Sequence, residues 1–448
     1  MRRFWIGLVS FALAASACSA GGNAVPPPTI NPSASHSPTT LNLWVFFTGR
    51  ELKQFNDVVI GAFQAKYPWI TVKVTGAKDV DDNNAIKQAI QSGTPPDVVI
   101  SPFPQDVARF CATGGLIDLN PYIKLEKLDI KSIIPPAALS YTAYKGIQCT
   151  LPALSDAYGL YYNVDMLKAK GYTAPPQTIN DLTDMAKNLT QFNPDGSIKV
   201  AGWVPMLENF YENQAINFGH AFGAQWYDAT GTKSALASDP RWAEMLRWQK
   251  SLIDWYGYDK LQRFFASLGG PDSEWSPAHG FETGKIAMNT DGEWRVAFIQ
   301  DDKAKINYGT APFPAANDAP QIYGSGQIGG NTIGIPKGSQ HPAEAWLLLK
   351  YLATDTPAQV ELATLLKNVP TTFNSIQDPT LAADAHFDTF LKIFANPLSA
   401  YKQLTPIGDT DQTLFAAFIA KWQAGKVSDL EAGLRQVADQ IDKQNALG

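Results

Sequence analysis

Two apolar periods alternate through the first part of the chain. Leu41 to Phe47 (LNLWVFF) is a nearly continuous apolar run, the mark of a buried strand. Leu52, Phe55, Val58, Val59, Ala62 and Phe63 then recur at helical spacing over 51–67, and Pro68 stops that helix. Ile70 to Val74 alternates apolar and polar, which predicts a second strand. A helix over 85–91 ends at SGTPP, and DVVIS at 97–101 predicts a short third strand. Strands and helices in this order, joined by short turns, predict right-handed crossovers into a parallel sheet. Ligands of such sheets gather at the carboxyl ends of the strands. Trp242, Trp248 and Trp255 lie at helical spacing in RWAEMLRWQKSLIDWYGY, and Trp346 sits within AEAWLLLKYL; both stretches predict packing.

The N-terminus reads differently. Arg2 and Arg3 precede an apolar run from Phe4 to Ala15, and the small residues Ser16 and Ala17 lead into Cys18, so 1–17 is a secretory signal peptide. The run falls short of the roughly 20 apolar residues that span a bilayer. Its exit resembles a bacterial lipobox, with Ala15 where that pattern prefers leucine, and the resemblance implies that Cys18 is the lipidated first residue of the mature protein. Residues 18–40 continue in small, polar and proline-rich sequence without enough apolar surface to offset chain entropy, which predicts a disordered tether.

The rest of the 448-residue chain is long enough for two domains or lobes, and its 45% hydrophobic and 11% aromatic content describes a well-packed body. A net charge of −6 argues against a nucleic-acid partner, which needs a basic surface. Of the three cysteines, Cys111 and Cys149 remain as an even pair, predicting a disulfide in an exported chain; two buried free thiols are the alternative. The five histidines show no ligand spacing with them, so no metal or other cofactor is expected.

Several patches appear in a telling order: LNLWVFFTGRELKQFNDVVIGAFQAKYPWITVKV, GTPPDVVIS with FCATGGLIDLNPYI, YKGIQCTLPALSDAYGLYYNVDMLKAKGY, FETGKIAMNTDGEWRVAF, and GGNTIGIPKGSQHPAEAWLLLKYL. This series resembles the extracellular solute-binding proteins of ABC importers, the family that includes maltodextrin-binding protein. The resemblance implies an α/β, two-lobed, periplasmic-binding-protein-like clam with about three crossing segments at its hinge. By analogy, lobe one takes 41–154 and 325–373, and lobe two takes 157–323 and 374–448. It also implies a monomer on the extracellular face of the membrane that closes on a small solute and hands it to ABC permease subunits.

A saccharide site needs flat aromatic platforms beside fixed amide, carboxylate and backbone groups. At the places the family uses, the candidate platforms are Phe46 or Phe47, Phe103, Tyr162, Trp203 and Trp294. Phe46 and Phe47 point to opposite faces if their strand continues, so at most one faces the cleft; Tyr161 and Tyr162 carry the same ambiguity. Candidate hydroxyl partners are Thr48, Arg50, Ser101, Asp156, Asp291, Glu293 and Asn331, with Gly330 beside them for close backbone approach. A secreted carbohydrate hydrolase would carry aromatics and paired carboxylates too, and Asp156, Asp291 and Glu293 can be read that way. No G-x-S-x-G, H-E-x-x-H or P-loop pattern supports another hydrolytic class. A peptide, polyamine or iron binder is the remaining alternative.

Overall fold

Residues 27, 30–31, 34–76, 83–101, 104–207 and 213–447 are described by the computed structural model; Cys18 and Phe103 lie outside them. The strands are β1 (Thr39–Val45), β2 (Ile70–Gly76), β3 (Val98–Ser101), β4 (Thr150–Asn163), β5 (Met288–Gly292), β6 (Tyr308–Pro312) and β7 (Ile328–Gly334). The helices are α1 (Gly49–Gln54), α2 (Gly61–Lys66), α3 (Asn84–Gln91), α4 (Val107–Thr113), α5 (Ala215–Phe222), α6 (Pro240–Tyr256), α7 (Arg295–Asp301), α8 (Pro342–Thr354), α9 (Thr356–Leu366), α10 (Ala385–Ala395), α11 (Thr410–Gln423) and α12 (Leu430–Asn445).

The predicted β–α–β–α–β series is present. β1 pairs in parallel with β2 from Thr39–Ile70 to Val45–Gly76, and with β3 through Leu43–Val98. Leu41, Leu43 and Val45 are buried, whereas the alternate Asn42 faces solvent. The strand ends two residues earlier than its apolar run, so Phe46 and Phe47 leave the sheet at its carboxyl end. It also begins two residues earlier, inside the stretch expected to be a tether. His36 of that stretch stacks on Trp69, ring centroids 4.2 Å apart, and Ile30 packs against the core. These are among the few residues there with a ring or branched chain to bury.

One wide π turn, Phe55–Ile60, joins α1 to α2 and shifts the face that the helical spacing predicted. Phe55, Val59 and Phe63 are buried, while Val58 turns out to solvent. The sheet beyond β3 departs from the expected parallel pattern. β7 runs antiparallel to β3 and to the first half of β4, from Gly334–Thr150 to Ile328–Ala157. The second half of β4 pairs antiparallel with β5, from Tyr158–Gly292 to Tyr162–Met288, and with β6. A single 14-residue strand therefore belongs to two groups of strands and changes partners between Ala157 and Tyr158.

Two large apolar clusters flank that change. One holds β1–β3, α8, α9 and the first half of β4, and reaches Phe387 and Phe390 of α10. The other holds α5, α6, α11 and α12 with Trp203 and Trp242. Among the described residues no helix is long and apolar enough to cross a membrane.

Cys111 on α4 and Cys149 just before β4 form a disulfide, with Cα atoms 5.4 Å apart and both sulfurs buried in a small satellite cluster. The bridge closes a loop of 38 residues. Replacing both cysteines by serine should lower the unfolding free energy by roughly 3–4 kcal/mol, read as a lower urea midpoint. A midpoint unchanged from the parent would mean that the loop is already fixed by packing. A second clamp is ionic. Arg295 at the start of α7 is wholly buried and bonds Asp291 (2.7 Å), Glu282 (3.1 Å) and both the backbone and side chain of Glu274 (2.7 and 3.0 Å). Arg295→Met would leave three buried carboxylates without a cation, so urea unfolding should register a loss of about 3–5 kcal/mol. A loss under about 1 kcal/mol would show that the clamp does not hold β5 to α7.

Candidate functional site

The change of partners in β4 sets two side chains at the floor of a cavity of about 550 Å³, within the range of small-molecule sites. Asp156 and Tyr158 lie on the same face of the strand, two residues apart, and both line it. The ends of β1 and β5 meet there from opposite sides. Phe46 and Phe47 follow β1, and Trp294 follows β5, so carboxyl ends of strands supply aromatic walls.

The walls are ordered by ring contacts. The Trp294 indole meets Tyr158 edge-on, with centroids 5.7 Å apart and planes at 87°. On its other side Trp275 lies 6.5 Å away, tilted by 37°, and itself leans on Phe298. Trp275 is nearly half exposed, unusual for so large an apolar ring. Gly292 carries no side chain because the Trp294 indole lies over it: an added Cβ would sit 2.3 Å from the ring. Phe46 and Phe47 are 4.5 Å apart and both border the cavity, because the chain leaves the sheet after Val45 and strand alternation no longer applies. The expectation that only one would face the cleft is therefore corrected. Phe47 is also buried against Phe55, which leaves Phe46 as the more open platform.

Polar groups interleave with these rings. Asn331, buried on β7, lines the cavity beside Gly330. Gly330 has φ 141°, and a Cβ there would lie 2.4 Å from the Leu154 carbonyl, so the crowded strand pair requires the glycine. Asp156 Oδ1 accepts a hydrogen bond from the Asn368 side-chain amide at 2.9 Å, and the same amide nitrogen donates to Glu293 Oε1 at 2.9 Å. Glu293 Oε2 accepts from the Ala157 backbone N–H at 2.8 Å. Burial pushes the Asp156 carboxyl up to about 7, and burial together with the Asp156 charge pushes Glu293 well above the usual carboxylate range. Glu293 is fully buried and stands behind Asp156, away from the cavity lining.

Arg50 on α1 lines the mouth but is committed to Asp301 on α7, with Nη1 2.9 Å from Oδ1. This ion pair joins α1 to α7 at the mouth of the cavity. Several other expected residues lie elsewhere. Thr48 is exposed at the start of α1 and outside the cavity. Ser101 is buried and donates to Asn83 Oδ1 at 2.6 Å, part of a network with Asp106. Trp203 is 1% exposed and stacks on Trp248 at 5.4 Å inside the α5–α6 cluster. Tyr162 packs against that same cluster, and Tyr161 donates its hydroxyl to the Gly292 carbonyl at 2.8 Å; Tyr158 is the strand's cavity tyrosine. Asp291 is fully buried against Arg295.

Sequence reasoning missed Trp275, Tyr158, Asn368 and the amides Gln214, Asn217 and Gln412 contributed by the α5 and α11 ends. Trp275 carried a signal: in PDSEWSPAH it falls outside any helical or strand period, so packing does not account for it. The amides carried none, because polar residues at helix ends are ordinary. Glu274, His279 and Asp291 bring ligand-type atoms within 4.8 Å of one another, yet Glu274 and Asp291 already bond the Arg295 guanidinium, which supplies their counter-charge.

A family model described as bacterial extracellular solute-binding protein matches residues 48–359. An uncharacterised ABC transporter extracellular-binding protein of Pyrococcus horikoshii is 22% identical over 88% of this chain and 83% of its own length. The maltodextrin-binding protein MdxE of Bacillus subtilis is 24% identical over 78% of this chain and 77% of its own. Among solved structures, the mannotriose-bound protein CpMnBP1 superposes with a TM-score of 0.75 at 24% identity, covering 90% of this chain and 99% of that one. The sugar-binding protein MalE of Xanthomonas citri gives 0.72 at 19% identity over 91% and 98%. These likenesses establish the two-lobed α/β fold, and the family match spans well over half of the sequence. The chain belongs to the bacterial extracellular solute-binding protein family.

Proposed function

We propose that this protein captures a mono- or oligosaccharide between its lobes, outside the cell, and delivers it to the permease subunits of an ABC importer. The observation that carries the reading is the aromatic wall of Trp294, Tyr158, Trp275 and Phe46 interleaved with Asp156, Asn331 and Asn368. Flat rings match the CH faces of a pyranose, and fixed amides and carboxyls match its hydroxyls. The named sugars of the relatives point the same way: maltodextrin for MdxE and mannotriose for CpMnBP1. A solute that bridges the Phe46 side and the Trp294 side favours the closed arrangement, in which Arg50 meets Asp301.

The hydrolase reading loses its carboxylate pair. Glycosidase carboxyls flank the scissile bond about 5–9.5 Å apart, with substrate between them. Asp156 and Glu293 instead share one Asn368 amide from the same side, and Asp291 is neutralised by Arg295. Binding without turnover therefore fits these residues best.

A lipid anchor at Cys18 completes the proposal, holding the body near the permease. Mass spectrometry of membrane-extracted protein should find an acylated Cys18 as the first residue; a soluble product starting elsewhere would overturn the anchor. For the cleft, a thermal-shift panel of mannotriose, maltotriose, tagatose and spermidine should raise the melting temperature with a sugar, since ligand at ~100 times Kd adds roughly 2.7 kcal/mol. Stabilisation by spermidine alone would reassign the site to a polyamine. Trp294→Ala should weaken the best sugar by about 2–4 kcal/mol in calorimetry while the protein stays folded. Trp203→Ala should do the reverse, costing about 3–5 kcal/mol of stability.

A further inference from the structure

Among the described residues, Asp156 meets the cavity with no cation bonded to it. From α7, Asp301 faces the opening and is paired with Arg50 of α1; Glu51 of α1 is a second acid. Asp409, just before α11, is a third acid on the lining. Arg295 is spent on Asp291, Glu282 and Glu274. The phenols are Tyr158 on β4 itself, Tyr401 on the far wall, and Tyr141, whose hydroxyl is bonded to Ser155. The β7 residues on the lining, Ile328, Gly329, Gly330 and Asn331, carry no titratable group. Asn368 stands beside Asp156 on the lining and Glu293 behind it, and the one amide nitrogen reaches both carboxyls.

Two carboxyls held by one amide cannot both ionise without strong repulsion, so the pair keeps a proton. Glu293 is fully buried and off the cavity lining, whereas Asp156 borders the cavity; that enclosure outweighs the Ala157 N–H, which favours its charged form, and Glu293 is the one that retains the proton. What Asp156 lacks in order to ionise is a donor on its cavity side. Sugar hydroxyls are such donors. Resting on the saccharide reading above, we propose that Asp156 is the hydroxyl acceptor of the cleft, that Glu293 is a protonated positioning residue behind it, and that ligand capture is linked to release of one proton.

The sign follows from the neutral form being favoured in the free protein. Asp156 is raised to about 7, so it is largely protonated at pH 5.5 and largely ionised at pH 8. Hydroxyl donors prefer the carboxylate; affinity should therefore fall as pH falls, approaching roughly 30-fold between pH 8 and 5.5 if one proton leaves. Without ligand the linkage runs the other way. The pair's contribution to stability is full below the unfolded values near ~4 and is lost as pH rises through about 7.

The experiment uses the full chain in both states. Without sugar, melting temperatures from pH 5 to 8 should decline more steeply for the parent than for Asp156→Asn, which carries no titrating acid at that position. With mannotriose, maltotriose and tagatose, calorimetry in two buffers of different ionisation enthalpy should record proton release at pH 6.5. Glu293→Gln, the neutral isostere, should keep most of the affinity at pH 8, whereas Asp156→Asn should lose about tenfold and most of its pH dependence. Parallel melting profiles for parent and Asp156→Asn would overturn the proposal even if no sugar on the panel binds. Tight sugar binding with a flat pH profile would overturn it while leaving the saccharide reading intact.

Discussion

The hydrogen bond from the Ala157 N–H to the buried Glu293 carboxyl sits where β4 passes from β7 to β5 and β6. A strand that changes partners leaves its backbone groups at the change without a regular ladder on one side, and each unpaired buried amide costs about as much as a lost hydrogen bond. Glu293 reaches back from the end of β5 to fill that need. The same contact therefore ties the two groups of strands, fixes the chain after β5, and brings a carboxyl behind Asp156. Trp294 is the next residue, so the placement of the main aromatic wall follows from it as well.

Arg295 extends this logic by one more residue. Its guanidinium gathers Asp291, Glu282 and Glu274 below the turn, so the run from Asp291 to Arg295 is held from beneath by ions and from the side by β4. Such a buried cluster is a weak source of net stability but a strong source of position, because each charge is costly if it moves off its partners. The cavity's aromatic wall thus rests on a rigid floor. Trp275, reached through Glu274, is carried by the same cluster and completes the wall from a loop.

Apolar period exposed the first three strands and their helices, since β1 and β2 bury alternate side chains and β3 is buried throughout. It could not reveal the partner change of β4: TLPALSDAYGLYYN shows no break in pattern between Ala157 and Tyr158, because both halves are largely buried. Tyr158, Tyr161 and Tyr162 are equivalent by composition, and which one faces the cavity depends on where the partner change falls. Among acids, Asp156, Asp291 and Glu293 looked alike in sequence, yet they divide into a cavity group, a counter-ion for Arg295 and a support behind the hinge. Thr48, Ser101 and Trp203 were placed near the right strand ends, but local turns and packing point them elsewhere.

The two halves of the site differ in how firmly they are held, and that difference suits capture. The Trp294 side is braced by buried ions and the β4 ladder. On the other side, Phe46 follows a strand end, and Arg50 reaches across the mouth to Asp301 in water. An exposed ion pair of that kind is worth only about 0–1 kcal/mol, too little to hold the lobes shut by itself. On the reading proposed above, closure would draw on a solute that touches both sides at once, stacked on Trp294 and within reach of Phe46. The weak pair at the mouth would then favour the closed arrangement without fixing it, leaving the energy that decides between open and closed to the ligand.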